Sequence, residues 1–275
     1  IYRNVWLVKT GQVHVDQYGT NITTPDVAQE RATVVIETTL KNTYAAAVTA
    51  ELTTIIKAPS GKVIAHTSLP VELPENGSDI IKQTLEVKAP ELWGIKNPAL
   101  YTAVTEVRSG NQLTDRYETT FGIRTFRWDE ATGFYLNGEP TKVLGVCLHH
   151  DLGCLGTAVN KRAIERQLQI MKDMGVNAIR TSHNPPAPEL LELCDRLGLL
   201  VQDESFDMWR KRKSPYDYAQ YFDEWHERDL TDQIKRDRNH ASVFMWSIGN
   251  EVLEQWSHAD ADTLSLQEAN LILNA

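Results

Sequence analysis

After "FGIRTFRW", the sequence repeats a unit of one apolar strand and one amphipathic helix four times. Alternating strands and helices form a parallel sheet with right-handed crossovers. The first and fourth apolar runs predict strands that are buried on both faces. The four strands are predicted in "TKVLGVCL", "VNAIRTS", "LLVQDES" and "SVFMWSIGNE". Two architectures accommodate them: an open doubly wound domain, or half of an eight-unit (β/α)8 barrel.

Residues that cap helices mark the predicted helix boundaries. Asn160 is placed to cap the start of the first helix and Gly175 to follow its end. Pro188 fits the first turn of the second helix and Gly198 follows that helix. The apolar stripe of the first helix comprises Ile164, Leu168, Met171 and Met174. The third and fourth helices are predicted in "FDEWHERDLTDQIKRDR" and "ADTLSLQEANLIL".

Residues 12–123 have the two-residue periodicity of β-strands. Short runs rich in Val, Ile and Thr are separated by Gly, Asn, Pro and Ser, as in an antiparallel sandwich. The segment "PSGK" at 59–62 predicts a hairpin turn. No grouping of His, Asp and Ser occurs here, so we expect a β-sandwich that acts as a spacer.

Charge and hydropathy exclude several classes of partner. The net charge is −9 and the pI is about 5.4, which argues against nucleic acid and anionic membranes as partners. The basic run "RKRK" at Arg210–Lys213 is short, and we interpret it as a solvated loop. No stretch approaches the roughly 20 apolar residues that a membrane-spanning helix needs.

Charged, imidazole and amide side chains follow each of the four predicted strands. The carboxyl ends of parallel barrel strands face the active site, so these groups should converge on one side. They are His149, His150 and Asp151; Arg180, Ser182, His183 and Asn184; Asp203, Glu204 and Asp207; and Asn250 and Glu251.

Glycoside hydrolysis fits these groups better than metal-dependent hydrolysis or dinucleotide binding. His149 and His150 are adjacent and should point in opposite directions, which is poor geometry for a shared metal ion. The turn "HHDLGCLGTAV" lacks the G-x-G-x-x-G spacing of dinucleotide sites. Glycoside hydrolysis needs a protonated carboxyl as acid and a second carboxylate. An Asn directly before the acid is suited to bind the sugar 2-OH.

Five stretches resemble, in order and spacing, glycoside hydrolase family 2, which contains the β-galactosidases, β-glucuronidases and β-mannosidases. They are "GIRTFRW", "FYLNGEPTKVLGVCLHHD", "MGVNAIRTSHNP", "LCDRLGLLVQDE" and "RDRNHASVFMWSIGNE". The resemblance covers essentially the whole chain and is strongest toward the bacterial β-galactosidases. It implies an immunoglobulin-like sandwich over 12–123, followed by the first half of a TIM barrel over 124–275. Residues 1–11 would be the last strand of a preceding sugar-binding jelly-roll domain.

The resemblance also implies roles for individual residues. Glu251 would be the general acid/base and Asn250 would bind the sugar 2-OH. His149 and His183 would contact the sugar, and Arg180 would hold the carboxylate cluster in place. We assign the third-strand carboxylates Asp203 and Asp207 to the same substrate-binding group. Glu204 would support the site electrostatically; the alternative is that it forms an acid/nucleophile pair with Glu251.

The expected function is that of a retaining exo-β-glycosidase acting on terminal β-D-galactosides. The family's nucleophile lies on a later barrel strand, so we expect this chain to carry the acid/base alone and to be inactive by itself. A β-glucuronidase is the alternative within the family, and a non-catalytic carbohydrate-binding or interaction fragment is the alternative outside it. The partner is a carbohydrate, and open first and fourth strands would favour homo-oligomers.

A metal ion is the remaining question about cofactors. Related galactosidases use Mg²⁺ or Na⁺, with magnesium ligands just after the third strand. The segment "DESFDMW" does not clearly keep that pattern, although Asp207 is placed to substitute. We therefore assign no metal ligands and no required cofactor, with Mg²⁺ or Na⁺, as in the related galactosidases, as the alternative.

Overall fold

The computed structural model describes residues 3–256, which form two compact units. The sandwich unit consists of residues 5–141 together with 238–241. Within the described range, the barrel unit consists of residues 3–4, 142–237 and 242–256.

Seven strands of the sandwich unit form two antiparallel sheets, with strand orders β1-β2-β5 and β4-β3-β6-β7. The strands are β1 (Val13–Val27), β2 (Arg31–Asn42), β3 (Val48–Lys57), β4 (Val63–Leu73), β5 (Ser78–Lys88), β6 (Tyr101–Ser109) and β7 (Gln112–Phe121). The two-residue periodicity has its predicted consequence, since Ala32, Val34 and Ile36 of β2 are buried while the side chains between them are half-buried. The sandwich predicted from the sequence is confirmed.

Two local features show how the sequence sets details of the sandwich. The predicted turn "PSGK" joins β3 to β4, with Ala58 N donating to Lys62 O at 2.9 Å. Gly61 has φ of +81° there, a conformation that favours glycine. Between the sheets, the buried Thr54 hydroxyl donates to Gln83 Oε1 at 2.6 Å, which satisfies two polar groups in the core.

A small antiparallel sheet extends the sandwich unit beyond the predicted boundary. Its strands are β8 (Phe126–Asp129), β9 (Gly133–Leu136) and β10 (Glu139–Pro140), in the order β10-β9-β8. Asn137 ties this sheet to the sandwich, because its Nδ2 donates to Trp93 O at 2.9 Å. The structural division therefore falls at residues 141–142, whereas the family pattern places it at 123–124. The domain assignment of the whole chain stays a prediction.

The barrel unit contains four parallel strands and three helices. The strands are β11 (Gly145–His149), β12 (Ala178–Ser182), β13 (Leu200–Glu204) and β14 (Val243–Ser247), and the helices are α1 (Lys161–Asp173), α2 (Pro188–Leu197) and α3 (Phe222–Asp237). The strand order is β11-β12-β13-β14, so each new strand adds to the same edge of the sheet. A doubly wound domain would reverse direction at a switch point. The sequential order is that of a barrel.

The predicted helix boundaries of the barrel unit are confirmed at the capping residues. The Asn160 side chain accepts a hydrogen bond from Ala163 N at 3.0 Å, and Gly175 follows the end of α1 with φ of +91°. Pro188 begins α2, and Gly198 ends it in the left-handed conformation. The fourth predicted helix lies outside the described residues.

Burial differs from the prediction at three places in the barrel unit. Ile164 and Leu168 of α1 are buried, but Met174 at its end is exposed. β11 is exposed or half-buried, and only Val243 of β14 is fully buried, whereas both strands were expected to be covered on both faces. Both strands are edges of the described sheet, so one side of each lacks a neighbouring strand. The central strands β12 and β13 are largely buried, as expected.

Residues 4–11 form no β-ladder among the described residues, and Val5, Trp6, Leu7 and Val8 are exposed. The assignment of residues 1–11 to a strand of a preceding domain stays a prediction. None of the described helices combines the length and apolarity needed to cross a membrane.

The cap of α1 gives a test of the barrel unit's stability. We expect Asn160→Ala to lower the free energy of unfolding by about 1 kcal/mol, because Ala163 N loses its acceptor. Asn160→Asp, which keeps a capping oxygen, should retain most of the stability. Urea denaturation of both variants measures the difference. Equal losses for Ala and Asp would contradict a capping role.

Candidate active site

The carboxylate of Glu204 is the centre of a polar cluster at the carboxyl ends of β12, β13 and β14. Side chains alternate between the two faces of a strand, and Val201 faces the core beneath α1 and α2. Glu204 therefore points to the opposite face, together with Arg180 of β12 and Ser247 of β14. The register places Ser247 directly beside Glu204.

Both carboxylate oxygens of Glu204 accept hydrogen bonds. Oε2 accepts from Arg180 Nε at 2.8 Å and from Ser247 Oγ at 2.6 Å, and Arg180 Nη2 lies 2.7 Å from it in an ion pair; Oε1 accepts from His183 Nδ1 at 2.7 Å. The side chain is 0% exposed. A carboxylate at this depth requires such donors, since an unpaired buried charge costs several kcal/mol. Because an ionised carboxylate only accepts, His183 carries a proton on Nδ1.

Arg180 connects Glu204 to the next residue of the site. Its Nη2 also donates to Asn250 Oδ1 at 2.9 Å, and Asn250 Nδ2 donates to Asp207 Oδ1 at 2.9 Å. Arginine only donates and a carboxylate only accepts, so the orientation of the Asn250 amide is fixed without ambiguity. Among residues 3–256, the second N–H and the second oxygen lone pair of that amide have no hydrogen-bond partner.

Asp207 carries its charge next to Lys213. Lys213 Nζ lies 3.0 Å from Asp207 Oδ1 and donates to Asn250 O at 2.9 Å. Burial alone would raise the pKa of Asp207, but the hydrogen bonds from Asn250 and Lys213 and the lysine charge lower it below its usual value. Lys213 belongs to the basic run that we interpreted as a solvated loop. For this residue the interpretation is wrong, because its side chain is only 21% exposed and bridges two chain segments.

Glu251 is the accessible carboxylate beside this cluster. Its side chain is 67% exposed, and its Oε2 lies 3.8 Å from Lys213 Nζ. The backbone has φ of +44°, an uncommon conformation for a residue other than glycine. Gly249, two residues before Glu251, has no room for a side chain, since a Cβ would lie 2.6 Å from Val252 Cγ2 and 2.9 Å from Trp209 Nε1.

The two histidines assigned to the sugar lie together. The rings of His149 and His183 are edge-on, with centroids 5.1 Å apart. His150 points elsewhere, and its Nε2 is 3.0 Å from Thr157 O. Burial and the charge of Arg3 lower the pKa of His150. Adjacent histidines thus diverge, as the strand geometry predicted.

Asp203 does not belong to the site, and its assignment to the substrate-binding group is wrong. It lies on the opposite face of β13 from Glu204, is 0% exposed and accepts from Gln233 Nε2 of α3 at 2.8 Å. Burial raises the pKa of Asp203 well above its usual value, and the negative charge of the neighbouring Asp237 raises it further. Arg236 donates to both oxygens of Asp237 at 2.6 Å. Asp203 and Glu204 are adjacent on β13, and adjacent side chains of a strand point to opposite faces. This periodicity could have separated the two carboxylates from the sequence.

Two further residues near the cluster, Trp209 and Ser247, were given no role from the sequence. Trp209 is buried, and its Nε1 donates to Ile248 O at 2.9 Å, so it holds the chain and offers no stacking surface to a sugar. Ser247 was missed because a neutral hydroxyl in an apolar run gives no chemical signal. Its register with Glu204 is the only indication.

The cluster does not fit a divalent metal ion. The described residues contain no group of three or more His, Cys, Asp and Glu side chains arranged to hold one. The ammonium of Lys213 already lies against the Asp207 carboxylate, where a cation would bind. A metal ion would have to displace the lysine ammonium before it could bind Asp207.

Comparison with known proteins identifies the family. The profile described as "Glycosyl hydrolases family 2, TIM barrel domain" matches residues 130–269, and that described as "Glycosyl hydrolases family 2" matches residues 13–124. The chain belongs to glycosyl hydrolase family 2. This result confirms the resemblance carried by the five motifs, and it confirms the fold class of an immunoglobulin-like sandwich followed by part of a TIM barrel.

Relatives within family 2 include enzymes of more than one specificity. Beta-galactosidase BoGH2A of Bacteroides ovatus is 58% identical over 274 residues, which is 100% of this chain and 32% of that protein. A family 2 structure from Bacteroides cellulosilyticus superposes with a TM-score of 0.92 at 39% identity, covering 96% of this chain and 34% of that one. A Bacteroides uniformis beta-glucuronidase superposes with a TM-score of 0.82 at 30% identity, covering 95% and 32%. The chain thus spans about a third of the length of these family 2 proteins.

The buried pair of Asp203 and Asp237 predicts a pH-dependent stability. The folded state holds the Asp203 proton to higher pH than the unfolded chain, whose pKa is about 4. The pair therefore contributes fully to the stability of the folded state below that pH. This contribution declines as the pH rises toward the pKa of Asp203 in the folded state. Asp203→Asn binds no proton at this position at any pH, so its stability relative to wild type should increase with pH.

Thermal unfolding between pH 5 and 8 measures this difference. Asp232→Asn serves as the control, because Asp232 is an exposed carboxylate of α3, the helix that carries Asp237. Its melting curve should stay parallel to wild type as the pH changes. Parallel behaviour of Asp203→Asn would contradict the raised pKa of Asp203.

Proposed function

We propose that the chain supplies the acid/base half of the active site of a retaining exo-β-glycosidase that acts on terminal β-D-galactosides. The observation that carries the proposal is the unbroken series of hydrogen bonds from His183 through Glu204, Arg180 and Asn250 to Asp207. This series fixes Asn250, and the next residue, Glu251, is the exposed carboxyl group. Membership of family 2 supports a carbohydrate substrate.

Glu251 acts as the general acid in the first step. Its carboxyl protonates the glycosidic oxygen as the bond to the anomeric carbon breaks, and its carboxylate later takes a proton from the attacking water. The free N–H and lone pair of the Asn250 amide bind the sugar 2-OH. Such contacts strengthen as positive charge develops on the ring.

Glu204 supports the site and is not the nucleophile. Its oxygens are already engaged by Arg180, His183 and Ser247, and its side chain is fully buried. Asp207 is likewise engaged by Asn250 and Lys213. A nucleophile needs a carboxylate oxygen open to the anomeric carbon. We therefore assign that role to a carboxylate elsewhere in the complete protein and expect this chain alone to be inactive.

The galactoside is favoured because Beta-galactosidase BoGH2A is 58% identical over the full span of this chain. The similarity to a Bacteroides uniformis beta-glucuronidase makes the glucuronide the second candidate. The two sugars differ by a carboxylate, which needs cationic or other hydrogen-bonding partners. A third candidate, of a different class, is a carbohydrate-binding protein without turnover.

Replacing the acid gives a test of the proposed mechanism. In the complete protein, Glu251→Gln should lower kcat/KM for phenyl β-galactoside by about 100- to 10,000-fold, because phenolate needs protonation to leave. The loss for 2,4-dinitrophenyl β-galactoside should be far smaller, since that leaving group departs as an anion. Steady-state kinetics on both substrates give the comparison. Equal losses on the two substrates would contradict the role of Glu251 as the acid.

The choice of sugar is tested separately with wild-type protein. We expect kcat/KM for 4-nitrophenyl β-galactoside to exceed that for the matching β-glucuronide, because both substrates share one leaving group and differ only at the sugar. A preference for the glucuronide would overturn the galactoside assignment and leave the role of Glu251 intact. Binding without turnover of either would favour the non-catalytic candidate.

A further inference from the structure

The segment that follows β13 makes three hydrogen bonds to main-chain atoms of residues 248–250. We call residues 206–213 the β13 loop. Its Phe206 O accepts from Asn250 N at 2.9 Å, and its Trp209 Nε1 donates to Ile248 O at 2.9 Å. Lys213 Nζ completes the set by donating to Asn250 O at 2.9 Å. Of these three contacts, only the last brings a charge.

Lys213 is itself held in place before it reaches the site. The Asp217 carboxylate accepts from Lys213 N and from Ser214 N, both at 2.7 Å, and from Ala219 N at 3.1 Å. This arrangement fixes the backbone from which the lysine side chain extends. The position of the ammonium therefore depends on a formed turn rather than on a freely rotating loop.

Three oxygen atoms of the site surround this ammonium. Lys213 Nζ lies 2.9 Å from Asn250 O, 3.0 Å from Asp207 Oδ1 and 3.8 Å from Glu251 Oε2. We infer that Lys213 is a positioning residue that holds the Asn250–Glu251 peptide in its active conformation. The inference rests on the proposed function, because Glu251 is the residue through which Lys213 acts.

The backbone conformation of Glu251 gives the physical reason. A φ of +44° is sparsely populated for a residue with a side chain, and it persists where surrounding contacts hold it. Without the ammonium, Asn250 O loses its charged donor and Asp207 loses its counterion. The Asn250–Glu251 peptide is then free to adopt more common angles, which moves the acid away from the glycosidic oxygen.

The test uses three variants of the complete protein. Lys213→Met removes the charge and the donor, and it should lower kcat/KM for phenyl β-galactoside by roughly 10- to 100-fold, the effect of misplacing a catalytic group by about 1 Å. Lys213→Arg keeps a charged donor and should recover most of that loss. Arg212→Met removes one charge from the same loop, where Arg212 is exposed and contacts Pro215 O, and it should leave the rate unchanged.

The leaving-group dependence separates positioning of the acid from a general loss of structure. The decrease for Lys213→Met should be larger with phenyl than with 2,4-dinitrophenyl β-galactoside. In a Glu251→Gln background, the same substitution should have little further effect on the phenyl substrate, because the group it positions is gone. Equal losses on both substrates, or full additivity with Glu251→Gln, would overturn the inference.

Failure of the inference is distinguishable from failure of the proposed function. If Glu251→Gln shows the leaving-group split and Lys213→Met does not, the acid role stands and Lys213 has no part in positioning it. If Glu251→Gln itself shows no split, the proposed function fails first. Thermal unfolding of Lys213→Met identifies a folding defect, and Lys213→Gln, which keeps a neutral donor, then replaces it in the comparison.

Discussion

The buried carboxylate of Glu204 is the constraint on which the rest of the barrel site depends. Its charge is tolerable at 0% exposure only because Arg180, His183 and Ser247 donate to it from β12, the segment after β12, and β14. Losing one donor would leave a buried charge partly unpaired. The same contacts therefore fix the relative positions of β12, β13 and β14. The positions of the exposed groups of the site depend on this arrangement.

Two neighbouring carboxylates of β13 show two solutions to burial. Glu204 is paired with the guanidinium of Arg180, whereas burial and the nearby Asp237 raise the pKa of Asp203 on the other face of the strand. Arg236 provides the charge that stabilises Asp237. One carboxylate orients the groups of the active site, and the other fastens the strand to α3.

The two residues proposed to meet substrate differ from each other in exposure. Glu251 is accessible, whereas Asn250 is buried and its amide is oriented by hydrogen bonds to Arg180 and Asp207. Lys213 contacts both residues, lying 2.9 Å from Asn250 O and 3.8 Å from Glu251 Oε2. Orientation is thus settled before substrate arrives, which reduces the entropic cost of reaching the reactive geometry.

The sequence by itself determined the order of strands and helices, the caps at Asn160 and Gly198, and the convergence of polar groups at the strand ends, because periodicity and capping are local properties. Its family motifs also identified family 2. The tertiary structure decided which of those polar groups lie on the same side. It turned Asp203 toward α3 and brought Lys213 from a basic run to Asn250, contacts that depend on strand facing and on pairing between distant segments. Local sequence patterns indicate which residues are polar, but the three-dimensional arrangement of the strands determines which of them meet.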